Sequence, residues 1–178
     1  MPSLRPERLV FLDETGMNLA MGMLYGWSKP GDPAVITRSA RSDNISLVGA
    51  IALDGLRASM ALDGGLDGDA FMVFLEQCLG PTLRAGDIVV MDNLSVHKMV
   101  KVKQMLASFG ATPLYLPPYS PDLNPIEMTW SKVKSILRVV GARTRELFDQ
   151  VLGKALRSIT VEECHNWFRH SGYAVEST

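Results

Sequence analysis

The sequence predicts an α/β fold in which helices pack on a mixed sheet. Two apolar runs, NISLVGAIAL and RASMAL, are separated only by DGL, and the Asp54-Gly55 pair in that gap is typical of a β-hairpin. Further along, short apolar runs alternate with segments of helical periodicity. An antiparallel beginning followed by alternating helices and strands is typical of a mixed sheet flanked by helices.

The first half of the chain contains the predicted antiparallel strands. Residues 8–13, with the run LVFLD, predict a strand, and the Gly-rich stretch GMLYGWSKPGDP at 22–33 predicts another strand that ends in a turn. The hairpin follows, and then a helix is predicted over 67–79, ended by Gly80-Pro81. Its apolar residues recur at helical spacing: Phe71, Phe74, Leu75 and Cys78.

The second half predicts an alternation of strands and helices. DIVVMD and ATPLYL are short apolar runs that predict strands, and the rigid segment PPYSPDLNP connects the second of them to a helix. The predicted helices span residues 96–109, 126–140, 144–157 and 160–169. The helix at 126–140 has one apolar side: Ile126, Trp130, Val133, Leu137 and Val140.

Length and composition indicate one soluble domain over residues 1–178. The chain is 47% hydrophobic and 21% charged, and it has no low-complexity linker. Its longest apolar run, LVGAIAL, is far shorter than the ~20 residues of a membrane span, and the N-terminus does not resemble a signal peptide. Cys78 and Cys164 form no CxxC pair. We therefore expect a cytoplasmic protein with no membrane partner.

The net charge of −1 conceals an uneven distribution. Residues 1–97 hold 7 Lys and Arg against 12 Asp and Glu, whereas residues 98–157 hold 10 against 4. The basic block is a candidate surface for phosphate groups, although an ordinary solvated helical face would have the same charge.

Three acidic residues are the candidates for chemistry. Asp13 and Asp92 each end a predicted buried strand, and 34 residues separate Asp92 from Glu127, which lies near the start of a helix. Carboxylates from separate elements are typical ligands of Mg²⁺, and two such ions can support displacement at phosphorus without a side-chain nucleophile. No GxSxG, HExxH or GxxxxGK[ST] motif offers a different mechanism.

Each of these residues also has a purely structural interpretation. Asp13 and Asp92 could end strands and accept hydrogen bonds from turn amides. Asn124, Pro125 and Glu127 also fit a helix capping box, in which Glu127 would bond back to the Asn124 amide. Local spacing alone does not distinguish capping from metal binding.

Four segments together resemble the catalytic domain of Tc1/mariner-superfamily transposases, in their bacterial insertion-sequence branch. They are DET at 13–15, GWS at 26–28, MDNLSVH at 91–97 and LPPYSPDLNPIEMTWSKVK at 116–134. The resemblance covers nearly the whole chain and implies an RNase H-like fold, a mixed five-stranded sheet flanked by helices. It also implies that Asp13, Asp92 and Glu127 form the catalytic and metal-binding triad, with Mg²⁺ or Mn²⁺ as the ion and two ions expected.

The implied activity is cut-and-paste DNA transposition. Water would cleave the element's ends, and the freed 3′-hydroxyl would attack target DNA, typically at a TA dinucleotide. The implied working form is a homodimer on DNA, in the bacterial cytoplasm and associated with the nucleoid when acting. Members of that family carry an N-terminal helix-turn-helix region, which this sequence is expected to lack, since it begins twelve residues before Asp13. A silent DNA-binding or dimerising remnant and another RNase H-like nuclease are the alternatives.

Several residues in the basic block, and His97 just before it, are candidate DNA contacts. His97 lies five residues after Asp92 and could touch a phosphate or orient a metal-bound water, or it could be a half-buried histidine at a helix start. Lys134 lies seven residues after Glu127, which places it on the same side of the helix, about 10 Å along the axis. Arg138 extends that row, and Lys98 and Lys101 are the remaining candidates.

Overall fold

The computed structural model describes residues 5–19, 44–95 and 97–175. Its centre is a five-stranded sheet of order β3-β2-β1-β4-β5. Strand β2 is antiparallel to both of its neighbours, β1 and β3, while β4 and β5 run parallel to β1. The strands are β1 Leu9–Asn18, β2 Asn44–Ala52, β3 Gly55–Asp63, β4 Ile88–Met91 and β5 Thr112–Tyr115.

Five α-helices flank this sheet within the described residues. They are α1 Gly68–Val73, α2 Val100–Ser108, α3 Ile126–Val140, α4 Arg145–Arg157 and α5 Val161–His170. Helix α1 continues as a π-helical segment, Phe74–Leu79, and then a 3₁₀ turn, Gly80–Thr82. None of the helices in the described parts of the chain is long and apolar enough to cross a membrane.

The mixed sheet with flanking helices confirms the predicted fold, and two boundaries differ from their predictions by four residues or more. Strand β1 extends to Asn18 rather than ending at Asp13, because its second half pairs with β2 as far as Asn44. Helix α2 begins at Val100 rather than at residue 96, since the chain just before it is still in a turn. The strand predicted at 22–33 lies outside the described residues.

Both faces of the sheet are buried, because side chains of each strand alternate between two cores. On one face the strands pack against α3, α4 and α5, through residues that include Leu9, Phe11, Leu47, Trp130, Phe148 and Phe168. On the other face they pack against α1 and α2, through residues that include Val10, Leu12, Val48, Phe71, Val102 and Leu106. The fold is therefore three-layered.

The parallel pairing of β1 with β4 places the first two candidate carboxylates side by side. Phe11 pairs with Val90, so Asp13 and Asp92, each two residues further along, come at the same level. Since carboxyl ends of neighbouring parallel strands open at the same edge of a sheet, both side chains reach one end of the molecule.

Candidate active site

Asp13 is a buried carboxylate held by two hydrogen bonds. It is 7% exposed. The backbone amide of Glu14 donates to its Oδ1 at 2.8 Å, and Asn124 Nδ2 donates to its Oδ2 at 3.0 Å. The second bond joins strand β1 to the segment that precedes α3.

The surroundings of Asp13 disfavour its charged form. Burial raises the pKa of this carboxyl from its ordinary 3.8 to about 7, and repulsion from Glu127 and Asp92 adds to the rise, while the Glu14 amide opposes it. The adjacent Glu14 also has a raised pKa, chiefly because of burial. Carboxylates in this region are thus near enough to repel one another, as expected of side chains that share a site for a cation.

Asp92 follows β4 and is more exposed than Asp13. The backbone amide of Leu94 donates to its Oδ1 at 3.1 Å, so Asp92 does take the turn-bonding role that its position allowed. His97 Nδ1 lies 2.7 Å from the same oxygen, although without the alignment of a hydrogen bond. One oxygen of Asp92 therefore has two neighbours that restrain it.

His97 is buried rather than half-exposed. Its exposed fraction is 1%, its ring packs against Phe71 with centroids 4.8 Å apart, and its backbone oxygen accepts a bond from Tyr115 Oη at 2.9 Å. This position favours a role at Asp92 over the direct phosphate contact considered from the sequence.

Glu127 lies in the first turn of α3 with its side chain exposed. The capping box that its spacing allowed is not formed: the helix has no side-chain cap, and Asn124 turns its amide to Asp13 instead. What remains between the two residues is a backbone bond, from the Glu127 amide to the Asn124 carbonyl, at 3.1 Å. The Glu127 carboxylate is thus not used as a helix cap.

A cleft of about 680 Å³ brings the three predicted residues together. Within residues 5–19, 44–95 and 97–175, no three His, Cys, Asp or Glu side chains are grouped closely enough to hold an ion as they stand. The three carboxylates line the same cleft but do not form a complete set of metal ligands in this conformation. The cleft is lined by Asp13, Glu14, Asp92, Asn93, Leu94, Asn124 and Glu127, and by residues 116–121.

Glu14 and Asn124 line this cleft and were not among the predicted site residues. The DET tripeptide contained a signal for Glu14, but strand alternation would have pointed it away from Asp13. Asn124 was interpreted only as a helix cap. At the rim of the cleft, the Tyr119 ring is fully exposed and its backbone is left-handed, with φ of 56°.

The predicted DNA contacts divide into two groups. Lys134 and Arg138 line a second cavity of about 490 Å³ together with Asn18, Asn44 and Ser46. Lys98 and Lys101 are exposed near the start of α2, and Lys101 Nζ lies 3.4 Å from Asp69 Oδ1. Strand β1 and helix α3 each border both the acidic cleft and the cavity of Lys134 and Arg138, which we call the basic groove, and no described residue lines both.

The sheet order, and the cleft beside the middle of β1 and the end of β4, define the RNase H-like class of fold. Within that class, the chain belongs to the DDE superfamily endonucleases, whose family profile matches residues 8–149. No curated protein matches the chain.

Solved structures of Mos1 transposase resemble this chain. They include the paired-end complex with left transposon end (TM-score 0.73, 17% identity, 92% of this chain and 51% of that one). The Mos1 Strand Transfer Complex has a TM-score of 0.72 at 18% identity, covering 93% of this chain and 51% of that one. The Mos1 catalytic domain with raltegravir and Mn has a TM-score of 0.64 at 15% identity, covering 96% and 86%. The likeness shows the fold, and the chain spans about half the length of the first two proteins.

Proposed function

We propose that this chain is the catalytic domain of a cut-and-paste DNA transposase of the bacterial insertion-sequence branch of the Tc1/mariner superfamily. The observation that carries the proposal is the meeting of Asp13, Asp92 and Glu127, from three separate elements, along one open cleft. Membership of the DDE superfamily endonucleases supports it. The similar solved structures, which are transposase complexes with a transposon end or in strand transfer, support the same interpretation.

The cleft has the donor chemistry that suits a hard divalent cation. Its lining offers carboxylate and amide oxygens, and the mutual repulsion of the carboxylates, which contributes to the raised pKa of Asp13, would be relieved by positive charge. We assign Asp13, Asp92 and Glu127 as the residues that would hold Mg²⁺, or Mn²⁺ in its place, as a pair of ions. When bound, such ions activate an attacking oxygen and stabilise the charge that develops at phosphorus.

The chain's own residues orient the reacting groups. The Glu14 amide and Asn124 fix the carboxylate of Asp13, and Leu94 and His97 restrain Asp92. Two successive reactions are proposed in this one site. Hydrolysis at the element's end leaves a 3′-hydroxyl, and that hydroxyl then attacks a target phosphodiester. Joining breaks one phosphodiester bond for each that it forms, so it needs no external energy source.

We place the DNA backbone along the groove of Lys134 and Arg138. Lys134 lies about 10 Å along α3 from Glu127, a distance that spans one to two phosphates of an extended strand. Lys98 and Lys101 would contact DNA on the α2 side of the cleft. The exposed ring of Tyr119 at the cleft rim offers a stacking surface for an unpaired base.

The proposed partners are the two transposon ends and a target DNA, with TA as the target dinucleotide. Because an element has two ends, we propose a homodimer assembled on DNA. We place it in the bacterial cytoplasm, associated with the nucleoid when acting.

The test is a joining reaction with Mn²⁺ and a duplex that reproduces a pre-cleaved end of the encoding element. Labelled duplex joined to a supercoiled plasmid is scored, with Glu127→Gln as the inactive variant and the exposed, nearby Asp122→Asn as the matched control. We expect joining in the parent and in Asp122→Asn, and a loss of at least 100-fold in Glu127→Gln.

Two other outcomes would contradict the proposal in different ways. DNA binding without cleavage or joining would indicate a silent remnant. Metal-dependent cleavage without joining, on any duplex, would indicate another nuclease of the same fold.

A further inference from the structure

The side chain of Asn124 is buried in a stretch of chain that is otherwise mostly exposed. Residues 117–119 and 121–123 are exposed, whereas Asn124 is 5% exposed. It nevertheless lines the acidic cleft. A polar side chain buried at such a place needs hydrogen-bond partners, because an unpaired buried group costs about 1–3 kcal/mol.

Asn124 connects two of the assigned metal-binding residues. Its Nδ2 donates to Asp13 Oδ2 at 3.0 Å, and its backbone carbonyl accepts from the Glu127 amide at 3.1 Å. The residues bonded by the side chain are 111 positions apart in sequence. A displacement of Asn124 would therefore move Asp13 and the start of α3 relative to each other.

The segment that carries Asn124 is anchored to β1 a second time. Tyr173 Oη donates to the carbonyl of Leu123 at 2.7 Å, and the Tyr173 ring packs against Phe11 with centroids 5.0 Å apart. Phe11 lies two residues before Asp13 on β1. Two hydrogen bonds thus hold Asn124 in place: one to the backbone carbonyl of its neighbour Leu123, and one from its own side chain to Asp13.

The other polar atom of the Asn124 side chain has no hydrogen-bond partner in the part of the chain that the structure describes. Its Oδ1 is buried and makes no hydrogen bond to any of the described residues. A buried acceptor left unpaired beside a reactive carboxylate calls for an explanation, and a ligand that brings its own donors would supply one. A hydrated divalent cation is such a ligand, since its bound waters are strong donors.

We propose that Asn124 is a positioning residue for the divalent cation: Nδ2 orients the Asp13 carboxylate, and Oδ1 accepts a hydrogen bond from the cation's water shell. This inference rests on the proposed function, and it identifies Asn124 as a residue on which the protein's affinity for the divalent cation depends. Partners that orient metal ligands typically change metal affinity by about 10–100-fold when they are removed.

The test measures Mn²⁺ binding to the DNA-free protein by isothermal titration calorimetry. The variants are Asn124→Ala and Asn124→Ser, whose side chains are too short to reach Asp13. Ser171→Ala is the matched control, because Ser171 is also buried, with an unpartnered Oγ, but lies after α5 and outside the cleft lining. Circular dichroism checks that each variant is folded.

We expect a Kd for Mn²⁺ at least tenfold higher in both Asn124 variants and unchanged in Ser171→Ala. In the joining reaction, kcat should fall while the KM for DNA stays near the parent's, since the basic groove is untouched. If Asn124→Ala does not fold, Asn124→Ser, which keeps a buried hydroxyl, decides the question.

Parent-like Mn²⁺ affinity in a folded Asn124 variant would overturn the inference and leave the proposed function standing. Failure of the parent itself to bind Mn²⁺ or to join DNA would instead overturn the proposed function, and the inference with it.

Discussion

Asp13 combines deep burial with close acidic neighbours, an arrangement that destabilises the charged form of a carboxyl. The raised pKa of about 7 means that folding in the absence of metal opposes ionisation of this group. At about 1.4 kcal/mol for each tenfold change in the acid constant, the penalty on the folded state approaches about 4 kcal/mol at alkaline pH. A purely structural role for Asp13 would not explain why a carboxyl is buried beside other acids at a cost to the stability of the fold.

The first prediction concerns the pH dependence of this penalty. Below the ordinary pKa of 3.8, Asp13 is protonated in both states and contributes no difference. As the pH rises to about 7, the Asp13 carboxyl ionises in the unfolded chain but stays protonated in the folded one. The free energy of unfolding therefore falls over that interval, and the contribution of Asp13 is constant above it. Relative to the parent, Asp13→Asn should therefore gain up to about 4 kcal/mol in free energy of unfolding between pH 4 and pH 8.

Urea denaturation in EDTA at pH 4, 6 and 8 measures this difference. Asp122→Asn is the control: Asp122 is exposed, and because this variant keeps Asp13 it should show the same pH dependence as the parent. A constant difference between Asp13→Asn and the parent across this range would show that burial does not raise the pKa of Asp13.

Two of the three site carboxylates were accessible to sequence reasoning for a simple physical reason. Asp13 and Asp92 each follow an apolar run, and the parallel pairing of β1 with β4 brings the two to the same level, although β1 itself continues to Asn18. Glu127 was ambiguous, because an Asn three positions before a Glu is equally compatible with capping. The ambiguity is resolved by the Asn124 bond to Asp13, a long-range contact that no local spacing contains.

Helix α3 carries Glu127, and its distance from the sheet is set by one aromatic ring. Trp130 is 2% exposed and lies over Gly49 of β2. A Cβ at Gly49 would stand 2.8 Å from Trp130 Cη2 and 3.2 Å from the Ala58 carbonyl oxygen. Gly49 is also the residue that pairs with Asp13 across the β1–β2 ladder. The glycine therefore allows α3 to approach the sheet beside the site.

The second prediction is that Gly49→Ala destabilises the protein by about 1–3 kcal/mol, since the buried Trp130 ring must shift. The displacement of α3 should also lower joining activity. Gly16→Ala is the matched control for stability alone: Gly16 lies on β1, where a Cβ would meet nothing within 4 Å, but it lines the cavity of Lys134 and Arg138. Thermal denaturation and the joining reaction measure both effects. Equal stability of the two variants would show that Trp130 does not set the distance between α3 and the sheet.

Helices and strands with a regular apolar pattern were predicted more accurately than those without one. The bounds of α3 were predicted to the residue, because its apolar stripe is regular and is buried from Ile126 to Leu137. The extension of β1 to Asn18 was missed, because Gly16 and Asn18 are poor strand formers and only pairing with β2 holds them there. Just before the late start of α2, His97 is buried against Phe71, a tertiary contact that local periodicity does not show.

At the scale of the whole molecule, the core extends beyond the segment that the family profile matches. Phe168 of α5 is fully buried and packs edge-on against Phe11, with centroids 5.1 Å apart. Lys132 of α3 bonds to both carboxylate oxygens of Glu163, at 2.7 and 2.8 Å. Helix α5 is thus part of the same core as the strand that carries Asp13.

The third prediction is that deletion of residues 160–178 abolishes cooperative unfolding, whereas deletion of 176–178 alone does not. Loss of a buried Phe side chain alone costs about 3–5 kcal/mol, a large fraction of the stability of a typical domain. Differential scanning calorimetry compares the two truncations. A sharp transition in the shorter protein would show that α5 is dispensable for the core.

Metal binding links the site to the stability of the entire chain, because an ion that binds the folded state alone stabilises it by mass action. With Mn²⁺ at about 100 times its Kd, the gain should be about 2.7 kcal/mol, which raises the Tm of a chain of this length by roughly 5–10 °C. Mg²⁺ should act in the same direction. Asp92→Asn should reduce the shift by removing one charged ligand, while Asp122→Asn should keep it in full. A thermal shift of equal size in Asp92→Asn and the parent would place the ion elsewhere and would separate metal binding from the cleft that the three carboxylates share.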